Sequence, residues 1–316
     1  MSNLDPVVGF FALGLVAGLL RSDLKLSSGL LDTLSLYLLV AIGLKGGFEL
    51  AKVADPLSLV LPVIVAVLMS AGTPLLAFPV LRRLGRLQRP DAASIAAHYG
   101  SVSVVTFAVG TTYLAGRDVP FEGYMSVLLV FLEFPALIIG VLLAKGLNRQ
   151  TQWSLLAREV LAGKAIVLLV GSLGIGWLWG QEVARNLELF YGDLFKGFLS
   201  LFMLGMGVVT AARFDDLRRA GLFLVAFGIL VPLISAVGGV LIGWGLGLSV
   251  GGATLLAVLY ASASYIAAPA AMRIAIPEAN PALSMGASLG VTFPFNLLVG
   301  IPLYHAMANH LYQVAG

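Results

Sequence analysis

Cysteine is absent from this 316-residue chain, histidine occurs only three times, and charge is scarce. Without thiols there is neither a disulfide nor a thiolate metal centre. The scattered histidines offer no ligand spacing for a metal such as zinc. No GxxxxGK[ST] phosphate loop occurs, which excludes nucleotide hydrolysis of that kind as a power source within the chain. Only 11% of the residues are charged, whereas 59% are hydrophobic. A soluble domain carries roughly 25% charged residues. Too little polar surface remains to cover a globule in water, so lipid must be the solvent for most of it. The start of the chain has no basic run and no cleavage-like site after Leu20. The first apolar stretch is therefore expected to be retained.

A membrane crossing takes about 20 mostly apolar residues. Ten such stretches are read here: Asp5–Leu20, Ser28–Leu50, Leu57–Val80, Asp91–Leu114, Gly123–Lys145, Leu155–Trp179, Asp193–Ala212, Gly221–Leu246, Gly251–Ile276 and Pro281–Asn309. The expected fold is all-α, a polytopic bundle. Basic residues set its orientation. The odd-numbered loops hold thirteen lysines and arginines, among them Arg82, Arg83, Arg86 and Arg89, against three in the even-numbered loops (Lys52, Arg117 and Arg185). Odd loops are thus expected in the cytoplasm and both termini outside. The net charge of +3 follows from these orientation signals, so no nucleic-acid partner is expected. Trp177, Trp179 and Trp244 fall at outer span ends, where an aromatic belt forms.

The 37 glycines suit close helix packing in lipid. Some of them belong to a motif that occurs twice. Tyr99-Gly100-Ser101-Val102-Ser103 returns as Tyr260-Ala261-Ser262-Ala263-Ser264, 161 residues later, and Pro120 and Pro281 follow at the same offset. Glu133-Phe134-Pro135 is echoed by Thr292-Phe293-Pro294, and Ser35–Leu39 by Ser200–Leu204. Residues 1–150 and 151–316 are therefore expected to be two five-span repeats. An odd number of spans per repeat makes the second enter the membrane from the opposite side. The result is an inverted repeat with its fourth and ninth spans broken.

Two half-helix N-termini meeting at one depth carry free N–H groups and partial positive charge, which suits an anion. The freed carbonyls and hydroxyls suit a small hard cation. The anion is expected at Ser101, Val102, Ser103, Ser262, Ala263 and Ser264. The coupling cation is expected at Ser103, Thr106, Glu133, Ser264, Thr292 and Asn296. Glu133 is an intramembrane carboxylate, which costs about 2.5–3.5 kcal/mol on insertion scales and so marks a functional position. It suits a cation ligand or a proton carrier. The bland reading is that such serines bond back to their own helix and that Pro135 and Asn296 mark packed kinks. Lys45, Lys164 and Lys196 are expected to reach for the interface, with attraction of an anion at the entrance the second reading for Lys45. Asp91 is expected to cap the fourth span, and His98 to be a satisfied buried histidine ahead of a gating role. A hydrolase built on Ser101 and His98 is a distant alternative without a third orienting residue, and a channel is another.

His98–Ser103, Ala261–Tyr265 with Pro269, Arg273–Pro281 and Gly43-Leu44-Lys45-Gly46-Gly47 resemble the sodium-dependent bicarbonate transporter family along essentially the whole chain. The resemblance implies sodium-coupled symport of bicarbonate across a bacterial inner membrane. It implies core and gate domains similar to those of bile-acid symporters and sodium/proton antiporters, and a homotrimer, with sodium as the coupling ion and no other cofactor. Tyr265 stands where the cyanobacterial members carry an acidic residue, and Glu133 where they carry aspartate. The insert between the halves, which in those relatives serves a PII-like regulator, is reduced to roughly Lys145–Leu155. The same fold with a carboxylate cargo, or with proton coupling through Glu133, is the nearest alternative.

Overall fold

The computed structural model describes residues 5–146, 158 and 162–315. Every regular element among them is helical. The chain runs α1 (Pro6–Leu19), α2 (Ser28–Ala51), α3 (Val60–Arg83), α4 (Arg89–Gly100), α5 (Val104–Ala115), α6 (Met125–Leu132) and α7 (Pro135–Lys145). It continues as α8 (Lys164–Glu188), α9 (Phe195–Ala212), α10 (Phe214–Gly245), α11 (Val250–Tyr260) and α12 (Ala267–Ala275). A last helical stretch, α13 (Pro281–Ala315), widens to π geometry at Ser288–Thr292 and Asn296–Gly300. Beyond Gly146, the linker expected at Lys145–Leu155 and the start of the span expected from Leu155 lie outside the described residues.

Seven helical stretches among the described residues are long and apolar enough to cross a membrane: Ser28–Ala51, Pro56–Arg83, Arg89–Ala115, Met125–Lys145, Asn186–Ala212, Gly221–Gly245 and Pro281–Ala315. Three shorter apolar helices, Pro6–Leu19, Lys164–Gly180 and Val250–Tyr260, lie among them. Side chains cap several starts. Asp5 accepts from Val7 N at 2.9 Å with Pro6 in the first turn, Ser27 accepts from Leu30 N, and Ser249 accepts from Gly252 N. Each supplies an acceptor to an N–H that has no partner within the helix. In α10 the chain turns at Gly221, whose φ of +79° is open only to glycine without strain. That turn separates Phe214–Ala220 from the apolar stretch that follows.

Burial orders the bundle. The most apolar window of Arg89–Ala115 is wholly buried, whereas those of Pro56–Arg83 and Gly221–Gly245 are 28% and 33% buried. The outer faces of α3 and α10 present Leu61, Ile64, Leu68, Leu230, Ile234 and Leu241, which makes them lipid-facing walls. The α4–α5 stretch is the centre. It fits there because its packed face is small: Ala92, Ala93, Ala96 and Ala97 are fully buried, and Gly140 of α7 rests on Ala97. Around this centre, α4 packs on α3 and α7, and α11 packs on α10 and α13. A second set of contacts joins α1 to α9 and α2 to α8. Glycine brings those backbones together. A Cβ on Gly43 would lie 1.9 Å from Ser172 Oγ, and one on Gly14 would lie 1.9 Å from the Leu204 carbonyl oxygen.

Two polar expectations are corrected here. Asp91 does not cap its own helix. Pro90, pre-set to helical φ, lets α4 begin at Arg89 with Gln88 as N-cap. The Asp91 carboxylate instead accepts from Asn280 N at 2.7 Å, ahead of α13. Glu122 does the reciprocal service for the other half, accepting from Ser249 N at 2.6 Å at the start of α11. Lys164 does more than reach for the interface, since it pairs with Asp32 of α2 at 2.9 Å. That pair is exposed and contributes little to stability. Lys45 is exposed, in line with an interfacial role.

Candidate functional site

The site forms where two helices stop and restart. α4 ends at Gly100 and α5 begins at Val104, with Ser101, Val102 and Ser103 between them in non-helical backbone. α11 ends at Tyr260 and α12 begins at Ala267. Hydroxyls make the restarts stable without water. Ser103 Oγ accepts from Thr106 N at 3.1 Å and from Thr106 Oγ1 at 2.9 Å, so it is the N-cap of α5. Ser264 Oγ accepts from Ala268 N at 3.1 Å in the first turn of α12.

The breaks are joined directly. Ser103 N donates to Ser262 Oγ at 2.9 Å, and Ser264 N donates to the His98 carbonyl at 2.8 Å. Neighbouring helices satisfy the carbonyls left at the stops. Ser70 of α3 donates to Gly100 O at 2.9 Å and to Leu132 O at 3.0 Å, and Asn296 of α13 donates to Ala261 O at 2.7 Å. Tyr304 in turn donates to Asn296 Oδ1 at 2.7 Å. Asn296→Ala leaves the Ala261 carbonyl and the Tyr304 hydroxyl buried without these partners. It is expected to cost about 1–3 kcal/mol for each group so orphaned, read as a lower melting temperature of the purified protein.

At this junction lies a small pocket, with room for about one water molecule. Val102, Ser103, Glu133, Ser264 and Tyr265 line it, together with Leu39 of α2 and Ala165 of α8. Glu133 follows α6 directly, where Pro135 interrupts the hydrogen-bond ladder. Its side chain is buried, the Ser101 hydroxyl and the Val102 N–H are directed to its carboxylate, and Oε2 closes no hydrogen bond of ordinary geometry. The Tyr265 hydroxyl is directed to Ser103 but closes no hydrogen bond of ordinary geometry. Glu133 and the hydroxyl-bearing Ser103, Ser264 and Tyr265 are thus among the residues that line a space of this size. Among the described residues no cluster of three histidine, aspartate or glutamate side chains forms a further metal site.

The expected site residues divide. Val102, Ser103, Ser264 and Glu133 line the pocket. Ser101, Ser262 and Ala263 are buried beside it with other work: Ser101 Oγ donates to the Glu133 carbonyl at 2.9 Å, and Ser262 Oγ to Leu259 O at 2.8 Å. Thr106 supports Ser103. Thr292 stands away from the pocket lining, bonded to Gly228 O at 2.8 Å and to the Tyr99 hydroxyl at 2.7 Å, and Asn296 serves the break's carbonyl. His98 is only half satisfied, with Nδ1 on Ser94 O at 2.8 Å and Nε2 without a partner. No hydrogen bond joins it to Ser101, whose hydroxyl is committed elsewhere, so the nucleophile–base geometry of a hydrolase is not formed.

Sequence reasoning missed Tyr265 as a lining residue, along with Leu39 and Ala165. Leu39 did carry a signal, as the last residue of the echo Ser35–Leu39. Ala165 carried none.

Among curated proteins no sequence matches this chain. A family model described as the Na+-dependent bicarbonate transporter superfamily matches residues 6–309, nearly the whole chain. With several apolar helices able to span a bilayer and two hydrogen-bonded breaks at their centre, the chain belongs to the Na+-dependent bicarbonate transporter superfamily.

Proposed function

We propose that this protein is a sodium-coupled symporter of a small anion, bicarbonate first among them, working by alternating access. The observation that carries the reading is the pocket at the meeting of the two breaks, which the buried Glu133 lines beside the helix starts. Helix N-termini at Ser103 and Ser264 favour an anion, whereas Glu133 repels one. At about 4 Å and an effective dielectric near 20, two like charges oppose each other by about 4 kcal/mol. A sodium ion at Glu133, Ser103 and Ser264, with Tyr265 beside it, removes that repulsion. Cation and anion binding then become mutually dependent, which is the physical content of symport. The pocket as it stands is cation-sized. A planar anion of four heavy atoms needs Leu39 and Ala165 to withdraw, which points to α2 and α8 as the moving side.

The contacts support two repeats. Exchanging the first and sixth spans, and the second and seventh, carries the α1–α9 contact onto α8–α2. It likewise carries α3–α4 onto α10–α11 and α4–α7 onto α11–α13. On this reading the chain crosses ten times as 1–150 and 151–316, with odd loops cytoplasmic and both termini outside. The gate is α1, α2, α8 and α9, and the core is the remainder. Carboxylate transport and proton coupling through Glu133 are the competing assignments.

Uptake of labelled bicarbonate into proteoliposomes decides between them. An inward sodium gradient is expected to drive accumulation, and added sodium to lower the KM for bicarbonate. Accumulation driven by a pH step with sodium absent would replace the sodium reading with the proton one.

A further inference from the structure

The two repeats are not in the same state, and the difference falls on one pair of tyrosines. Tyr99 and Tyr260 occupy equivalent positions at the ends of α4 and α11, and Thr292 and Glu133 are equivalent in the last span of each repeat. In one half the hydrogen bond is closed: Tyr99 OH meets Thr292 Oγ1 at 2.7 Å across α4 and α13. In the other it is open, because the Tyr260 hydroxyl and Glu133 Oε2 are both buried and both lack a partner. The helices that carry them are neighbours in the fold. α11, which Tyr260 ends, packs on α6, which Glu133 follows. The serines of the breaks are asymmetric in the same sense. Ser101 reaches across to the fifth span at the Glu133 carbonyl, whereas its equivalent Ser262 turns back to Leu259 O on its own helix.

We propose that Tyr99–Thr292 and Tyr260–Glu133 are alternate latches, one closed in each access state. The proposal rests on the alternating-access reading. Two pseudo-symmetric repeats give the opposite-facing state when they exchange conformations. The exchange repacks α4 against α13 and α11 against the end of α6 within the core as the gate moves. It opens Tyr99–Thr292 and brings the Tyr260 hydroxyl onto the Glu133 carboxylate, so that two orphaned polar atoms in one state become each other's partners in the next. Leaving both unpaired raises the energy of the state seen here and keeps the two states close enough to interconvert. Thr292 keeps Gly228 O as an acceptor when Tyr99 leaves, so opening the first latch orphans one hydroxyl, that of Tyr99, against two unpaired atoms in the state seen here. Tyr260 is a positioning residue on this account. It holds Glu133 in one conformation and need not touch cargo.

The absence of cysteine makes the test clean, since one introduced thiol reports alone. Ala165→Cys on the pocket wall is labelled from each face of the membrane with an impermeant reagent, without sodium or bicarbonate, so the readout does not depend on what is carried. Tyr260→Phe is expected to move the two-sided labelling ratio by about fivefold toward the state described here, the population factor of one net hydrogen bond. Tyr99→Phe is expected to move it the opposite way, and the double variant to return toward the parent. Glu133→Gln, which keeps an acceptor, should leave the ratio unchanged, whereas Glu133→Leu should copy Tyr260→Phe. Because Tyr260→Phe removes an unpartnered hydroxyl, its melting temperature should stay at or above the parent's, which separates a latch from a fold defect. An unchanged ratio in Tyr260→Phe, or shifts of the two tyrosine variants in the same direction, overturns the proposal.

Discussion

Glu133→Gln is expected to lower sodium-driven bicarbonate uptake about 10- to 100-fold, the loss of an interaction worth about 1.5–3 kcal/mol between a charged ligand and its ion. Glutamine keeps the shape, the volume and one acceptor oxygen. The Ser101 bond to the main-chain carbonyl of residue 133 survives the substitution. The break therefore keeps its support, and what disappears is the charge. The sodium dependence should move with it, with apparent sodium affinity falling further than bicarbonate affinity. Uptake against sodium concentration in proteoliposomes reads both. Parent-like sodium affinity in Glu133→Gln would remove the carboxylate from the cation site and leave the breaks alone to hold both ions.

The second large effect concerns the gate. Gly14→Ala places a methyl group 1.9 Å from the Leu204 carbonyl oxygen, part of the backbone of α9, so no side-chain rotation relieves it. Overpacking of this kind costs about 1–3 kcal/mol, and the two helices must separate to accept it. Gly171→Ala on α8 is the control, because nothing lies within 4 Å of a Cβ there. That substitution is expected to be neutral or to stabilise by up to about 1 kcal/mol through helix propensity. Melting temperatures of the two variants in detergent should therefore fall on opposite sides of the parent or, at the least, differ clearly. Equal values would mean that α1 and α9 do not rely on close approach.

How much of this was legible in the residues follows from what each feature depends on. The apolar stretches were readable because hydropathy acts over 20 residues and tolerates local exceptions, so the described helix bounds depart from the expected ones by only a few residues in most cases. The breaks at Ser101 and Ser262 were readable because hydroxyls and small residues repeat inside apolar runs. Partner choice was not readable. Ser101 and Ser262 stand in the same motif, yet one bonds across to Glu133 O and the other to Leu259 O. That choice is made by how the two repeats sit in one conformation, and a motif carries no information about it. Asn296 in an apolar run suits either a cation ligand or a packed kink, and in the fold its amide donates to the Ala261 carbonyl. The residue type announced a buried polar role, and only the fold names the recipient. The π turns at Ser288–Thr292 and Asn296–Gly300 flank Pro294, whose missing N–H was the visible part of their cause. Asp91 was misassigned because a carboxylate in a first turn looks the same whether it serves its own helix or the loop beside it.

The most direct test of the central claim is a map of the protein prepared with sodium and bicarbonate together. The account predicts a monatomic density within ligand distance of Glu133, Ser103 and Ser264, and a planar anion against the starts of α5 and α12, with Leu39 and Ala165 drawn back. Bound ions located away from both breaks, with the pocket at Ser103 and Ser264 still closed to anything larger than a water molecule, would contradict it.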